Sequence, residues 1–255
     1  MQGADHIDLN GQVAIVTGGT RGLGRQIAGA LASAGASVTV CGRTEPDSLP
    51  EGVSFQAADI RDPDQAQAFV EAVVRQHGRL DILVNNAGGS PHAAAATASA
   101  RFFDAILKLN LHAAMYMSQA AFAPMKAGGG GSIVNISSVS GIRPSPMTAA
   151  YGAAKAGLLS LTQSLAQEWG PDGVRVNAII AGLMQTENAE ETYGDAAAQA
   201  AVAKSLPLQR MGTGMDVAGA VLWLSSRLAS WVSGARINVD GGGERPYFLD
   251  LVKGN

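Results

Sequence analysis

The sequence predicts an α/β fold, with one doubly wound domain built on a parallel sheet of about seven strands and helices on both faces. Three observations carry that reading. Short β-branched runs alternate with longer stretches of helical periodicity along all 255 residues. The runs are apolar throughout instead of alternating, as strands buried on both faces of a parallel sheet are. No linker-like stretch interrupts the pattern, so residues 1–255 are expected to form a single domain.

Residues 13–17 read as the first strand and 23–34 as a helix, with Ile27 and Leu31 four apart on one face. Strands follow at 37–41 and 53–57, then a helix at 63–77 and an apolar run of strand length at 80–85. Two helical stretches, 98–107 and 109–126, lead to a strand at 132–137. The glycines at 128–131 are expected to turn the chain into that strand, since a phosphate loop would be followed by a helix. A long Ala/Leu-rich helix is expected over 150–170, a strand at 174–180, a helix at 215–225 and a last strand at 235–239.

Composition narrows the function classes. Hydrophobic residues at 47% and charged residues at 15% support a sizeable core, and aromatics at 5% mean that Ala, Val, Leu and Ile build it. A net charge of −3 without a basic face argues against a nucleic-acid or anionic-membrane partner. The single Cys41 excludes an intramolecular disulfide and suits a reducing compartment. The N-terminus is polar, unlike a signal peptide, and no apolar run reaches about 18 residues, so a cytoplasmic protein without a membrane span is expected. No His/Cys/Asp/Glu cluster has metal-ligand spacing, and no metal is expected.

Between the first strand and helix lies Thr17-Gly18-Gly19-Thr20-Arg21-Gly22-Leu23-Gly24. A glycine turn opening a helix lets backbone N–H groups approach a pyrophosphate, which the helix dipole also favours. Its T-G-x-x-x-G-x-G spacing differs from the common G-x-G-x-x-G fingerprint. Further along come Asp59, then Asn85-Asn86-Ala87-Gly88, Asn110 in Lys108-Leu109-Asn110, Ser138, Tyr151-Gly152-Ala153-Ala154-Lys155, and Val239-Asp240-Gly241-Gly242. Together, over almost the whole chain, these resemble the short-chain dehydrogenase/reductase family, with motif placement similar to its 3-oxoacyl-acyl-carrier-protein reductase branch.

The resemblance implies a Rossmann-type nicotinamide-dependent oxidoreductase acting on a small carbonyl or alcohol substrate, assembled as a homotetramer. It implies that Gly18, Thr20, Arg21, Gly22, Leu23 and Gly24 surround the cofactor pyrophosphate, with Asp59 and Ile60 beside the adenine. Asn86, Ala87 and Gly88 would pass the adenine-side ribose, and Thr186 would bond the nicotinamide carboxamide. The second strand ends Cys41-Gly42-Arg43-Thr44, with no carboxylate to receive a ribose 2′-OH. Arg43 and Arg21 suit a 2′-phosphate, which favours NADP(H) over NAD(H), although both arginines also read as solvated surface residues.

Hydride transfer to a carbonyl carbon leaves a proton to be delivered to oxygen. Tyr151 and Lys155 are four apart on an expected helix and share a face, but that spacing alone is common on protein surfaces. Ser138, thirteen residues before Tyr151, would bring a hydroxyl to the carboxyl edge of the sheet. By resemblance Tyr151 is the general acid or base and Ser138 steadies the substrate oxygen. Lys155 would hold the nicotinamide ribose and lower the Tyr151 pKa, while Asn110 would position a water. Ser137 and Ser140 lack the spacing. His92 reads as a solvent-facing loop residue or as lining the substrate entrance, His112 as packing or a satisfied interior group, Cys41 as a buried inert thiol, and His6 has no context.

Two departures from the family pattern stand out. Ala181 replaces a usual proline, predicting a looser loop and less cofactor order, and Gly214-Met215 stands where Pro-Glu is common before Asp216. Residues 183–210 are expected to close over substrate and, being Ala-rich and polar, to be mobile. The 244–255 tail carries Tyr247-Phe248-Leu249-Asp250-Leu251, an apolar patch suited to a subunit contact. For the substrate, 3-oxoacyl thioesters, steroids, sugar alcohols and xenobiotic ketones remain open. A sensor that binds NADP(H) without turnover, and a structural subunit of a larger synthase, are the other classes. A sensor has no use for Ser138, Tyr151 and Lys155 together, and the length suits an independent domain.

Overall fold

Strand β1 (Val13–Thr17) is buried at every residue, and the computed structural model, which describes residues 7–246 and 248–252, places it in the middle of a seven-stranded sheet. The others are β2 (Ser37–Gly42), β3 (Val53–Ala57), β4 (Ile82–Asn85), β5 (Gly131–Ser138), β6 (Val174–Ala181) and β7 (Arg236–Val239). The order is β3-β2-β1-β4-β5-β6-β7, and every neighbouring pair is parallel. The order reverses between β1 and β4, which opens a crevice at their carboxyl ends, where ligands bind in such sheets.

Helices α1 (Gly22–Ser33) and α8 (Gly214–Ser225) cover one face, where Ile27, Leu31, Val217, Val221 and Leu224 meet Val16, Val40 and Val84. Helices α2 (Pro63–His77), α4 (Ala113–Ala127) and α5 (Ala149–Trp169) cover the other, where Phe69, Val73, Met117, Met125 and Leu165 meet Ile15, Leu83, Ile133 and Val176. Local chemistry sets the ends. Asp62 caps α2 by accepting from Asp64 and Gln65 N–H, Pro63 takes its first turn, and Gly78 closes it in a left-handed conformation.

The structure departs from expectation in three stretches. Residues 98–126 form not two plain helices but α3 (Ala100–Leu107, capped by Ser99), a π-helical turn at Lys108–His112, and α4. The Ala-rich region folds into α6 (Ala189–Tyr193) and α7 (Ala196–Ser205), the latter without a buried residue. Ala181 does not start a loose loop: it ends β6, paired with both Ser138 and Val239. Beyond it, the Gly182 N–H bonds the Val239 carbonyl (3.0 Å) and the Gln185 N–H the Gly212 carbonyl (2.7 Å), so the chain is anchored without proline.

The tail forms a short helix, α9 (Phe248–Leu251), with Phe248 and Leu251 exposed; Tyr247, like His6, lies outside the described residues. Among the described residues no helix is long and apolar enough to cross a membrane.

Candidate active site

The site is assembled at the carboxyl ends of β1, β4 and β5. The turn after β1 passes backbone to backbone against the turn after β4. A Cβ on Gly18 would lie 3.0 Å from the Ala87 Cα, and Gly18 has φ +62°, so both space and conformation call for glycine there. The Thr17 hydroxyl accepts from the Asn86 and Ala87 N–H groups (both 3.0 Å), and the Asn86 amide donates to the Thr17 and Gly18 carbonyls (2.9 and 3.2 Å). Thr17 opens the T-G-x-x-x-G-x-G motif, and this bonding is the role that its place at the end of an apolar strand did not reveal.

No side chain caps α1 at Arg21, so its first N–H groups are left to other partners. The Glu187 carboxylate takes one of them, accepting from the Gly22 N–H at 3.1 Å. This end of the helix therefore receives an anionic oxygen, as its dipole favours.

A groove of about 690 Å³ runs from this turn to Tyr151. Gly18, Thr20, Arg21, Gly22, Leu23, Gly24, Arg43, Asn86, Ala87, Gly88 and Thr186 line it, together with Ser138, Tyr151 and Lys155. Asp59 and Ile60 do not. The Asp59 carboxylate is turned to Arg61 (2.8 Å to Nε), which holds it below its ordinary pKa, and Ile60 is buried in the α2-side core. A carboxylate with a guanidinium two residues away pairs locally in preference to reaching a groove.

On the proton-transfer side, Ser138 is the last residue of β5, and its hydroxyl lies close enough to Tyr151 of α5 to lower the phenol's pKa. Of its neighbours, the Ser137 hydroxyl donates to the Lys155 carbonyl (3.0 Å), while the Ser140 N–H donates to Ser138 Oγ itself (3.2 Å). Lys155 is 3% exposed, and its Nζ donates to the Ile136 carbonyl (2.8 Å) at 5.5 Å from the Tyr151 ring centre. Burial pushes the Lys155 ammonium down to about 8.

Burial raises the Tyr151 phenol, and Ser138 offsets part of that rise. The Lys155 ammonium is bonded to the Ile136 carbonyl.

Asn110 lies on the π-helical turn, 1% exposed and beneath the groove instead of on its wall. Its Oδ1 accepts from the Gly89 N–H (2.8 Å), and Nδ2 donates to the Gly89 and Ile106 carbonyls (both 2.9 Å). Both amide donors are thus committed to backbone, so Asn110 holds the turn after β4 against α3.

Below this, Asn85 donates to Asn135 Oδ1 (2.9 Å) and Ser118 Oγ (3.0 Å), and Asn135 donates to Thr162 Oγ1 (2.9 Å), a buried network that ties β4 and β5 to α4 and α5. Periodicity could not reveal it, since each member falls at a position that reads as strand or helix interior.

His92 is exposed on the groove rim. His112, expected inside, is exposed, with its ring 6.3 Å from that of Tyr116. Cys41 is buried, and burial pushes its thiol up to about 12, leaving little thiolate to react.

Comparisons with known proteins identify the family. A family model described as enoyl-(acyl carrier protein) reductase matches residues 18–244. The chain is similar to 2-dehydro-3-deoxy-D-gluconate 5-dehydrogenase of Escherichia coli (strain K12), 35% identical, with 92% of this chain and 96% of that protein covered. It is similar to 3-oxoacyl-(acyl-carrier-protein) reductase FabG of Chlamydia muridarum, 34% identical over 92% of this chain and 98% of the relative. Among solved structures, the ligand-free aldohexose dehydrogenase of Thermoplasma acidophilum superposes with a TM-score of 0.87 at 31% identity, covering 92% and 94% of the two chains.

Proposed function

The chain belongs to the short-chain dehydrogenase/reductase family, a nicotinamide-dependent oxidoreductase of alcohols or ketones, and we propose that it uses NADP(H) and reduces a ketone with Tyr151 as proton donor. One observation carries the proposal. A single groove is lined both by the start of α1 with Arg21 and Arg43 and by the hydroxyl-bearing Ser138 and Tyr151.

The residues fit a dinucleotide. The start of α1 and the glycine turn would hold the pyrophosphate, as the anionic oxygen of Glu187 on the Gly22 N–H supports. Arg21 and Arg43 line the same end, where a 2′-phosphate would meet them. A reduced nicotinamide bound there would supply a hydride for the carbonyl carbon. Tyr151 donates its phenolic proton to the carbonyl oxygen, and Ser138 donates a hydrogen bond to the same oxygen as charge develops. A phenol held above its ordinary pKa is protonated at neutral pH, which is the state an acid needs. Lys155 would hold the nicotinamide ribose.

Motif placement points to a 3-oxoacyl thioester as substrate. The groove favours a second class, because its wall beyond Tyr151 carries Arg143, Ser145, Thr148 and Tyr193, a polar and charged lining suited to a small polar ketone. The reading includes a cytoplasmic homotetramer, which the exposed Phe248 and Leu251 support.

The test is Tyr151→Phe. Turnover of NADPH with a ketone is expected to fall by a factor of about 10²–10⁴. NADPH affinity, measured by fluorescence titration, should stay within about twofold, since a phenyl ring keeps the packing. Robust turnover in this variant would sink the mechanism.

A further inference from the structure

One charge in the groove has no part in hydride or proton transfer. After β5 the chain makes a 3₁₀ turn at Val139–Gly141, and the Arg143 N–H closes on the Val139 carbonyl (3.1 Å). This brings Arg143 onto the wall that Ser138, Tyr151 and Lys155 also line. Tyr193 lines the same groove, and the 3₁₀ turn that directly follows Ser138 carries Arg143, so Arg143 belongs to the Ser138 and Tyr151 side of it. Arg21 and Arg43 are at the glycine-turn end, and the Lys155 ammonium is committed to a backbone carbonyl.

Arg143 is held from outside. Glu244 pairs with its Nε without lining the groove, and the Pro144 carbonyl accepts from Nη1 (3.1 Å). A guanidinium has five N–H donors, more than these two partners employ, and its planar fork matches a second carboxylate. Ser145 and Thr148, joined hydroxyl to hydroxyl at 2.6 Å, continue the polar wall.

We infer that the substrate is a small oxo acid, its carboxylate bound by Arg143 while its ketone meets Ser138 and Tyr151. The fork selects the carboxylate: the Arg143 donors that Glu244 and the Pro144 carbonyl leave unused can receive its two oxygens side by side. The inference rests on the reductase reading and names the substrate class for the same site.

NADPH oxidation is measured with short straight-chain oxo acids, each beside its methyl ester, in the wild-type protein, Arg143→Gln and Arg143→Lys. The best acid is expected to exceed its ester in kcat/KM by about 10- to 100-fold, the range for hydrogen bonds to a charged group. Arg143→Gln should erase that preference through KM, leave the ester within about twofold and still bind NADPH; Arg143→Lys should restore part of it. Equal use of acid and ester by the wild type, equal losses on both in Arg143→Gln, or a stronger preference for a phosphorylated ketone overturns the inference while leaving the reductase reading intact. Turnover of no ketone at all overturns both.

Discussion

Gly88→Ala places a methyl group where the structure has no room for one. A Cβ there would lie 2.6 Å from Asn110 Oδ1 and 3.2 Å from Lys155 Nζ. Neither atom yields freely. The Asn110 amide is tied by three hydrogen bonds to Gly89 and Ile106, and Lys155 is buried with its ammonium on the Ile136 carbonyl. Overpacking costs about 1–3 kcal/mol. Moving Asn110 off Gly89 strands buried polar groups, for about 1–3 kcal/mol more. The expected destabilisation is about 4 kcal/mol, or roughly 8–16 °C in Tm for a domain of this size.

Urea denaturation with a check on the m-value, and calorimetry, measure it. Asn110→Ala alone should also destabilise, by loss of the same bonds. In the double variant the methyl no longer meets Oδ1, so the combined loss should fall short of the sum by more than about 1 kcal/mol. A loss below about 0.5 kcal/mol for Gly88→Ala, or strict additivity in the double variant, refutes the contact.

Two further outcomes are expected. Burial lowers the Lys155 ammonium from 10.5 to about 8, so the folded state disfavours a proton that the unfolded chain keeps. The resulting penalty is fully present below about pH 8 and fades as pH rises toward 10.5. The stability advantage of Lys155→Met over wild type, whatever its value at pH 7, should therefore shrink by about 2–3 kcal/mol by pH 10 in denaturant titrations, and a difference flat with pH counts against the burial. For the cofactor, Arg43→Ala should raise KM for NADPH by about 10- to 100-fold and that for NADH by less than twofold. Equal changes defeat the 2′-phosphate assignment.

The parts legible in the sequence are those in which local chemistry and tertiary packing agree. Asp62, Pro63 and Gly78 mark both ends of α2 before any packing is considered, and β1 is apolar because both of its faces are covered. The π-helical turn at Lys108–His112 was not legible, because one extra residue in a helical turn barely disturbs an apolar pattern. Its position follows from Asn110, whose amide takes the Ile106 and Gly89 carbonyls. The helices at Ala189–Tyr193 and Ala196–Ser205 escaped for the opposite reason: with so few large apolar side chains, the segment shows no stripe to read. Arg143 gave no periodic signal either, since the 3₁₀ turn after β5 carries it to the groove.

The same limit applies inside the site. Helical spacing correctly places Tyr151 and Lys155 on one face of α5, but it cannot say where a flexible ammonium points. The ammonium bonds the Ile136 carbonyl, and the phenol is raised by burial and only partly relieved by Ser138. The two directions of the reaction are therefore not equivalent for these side chains. Donation from a neutral Tyr151 starts from the state that burial favours, whereas abstraction at neutral pH runs against it.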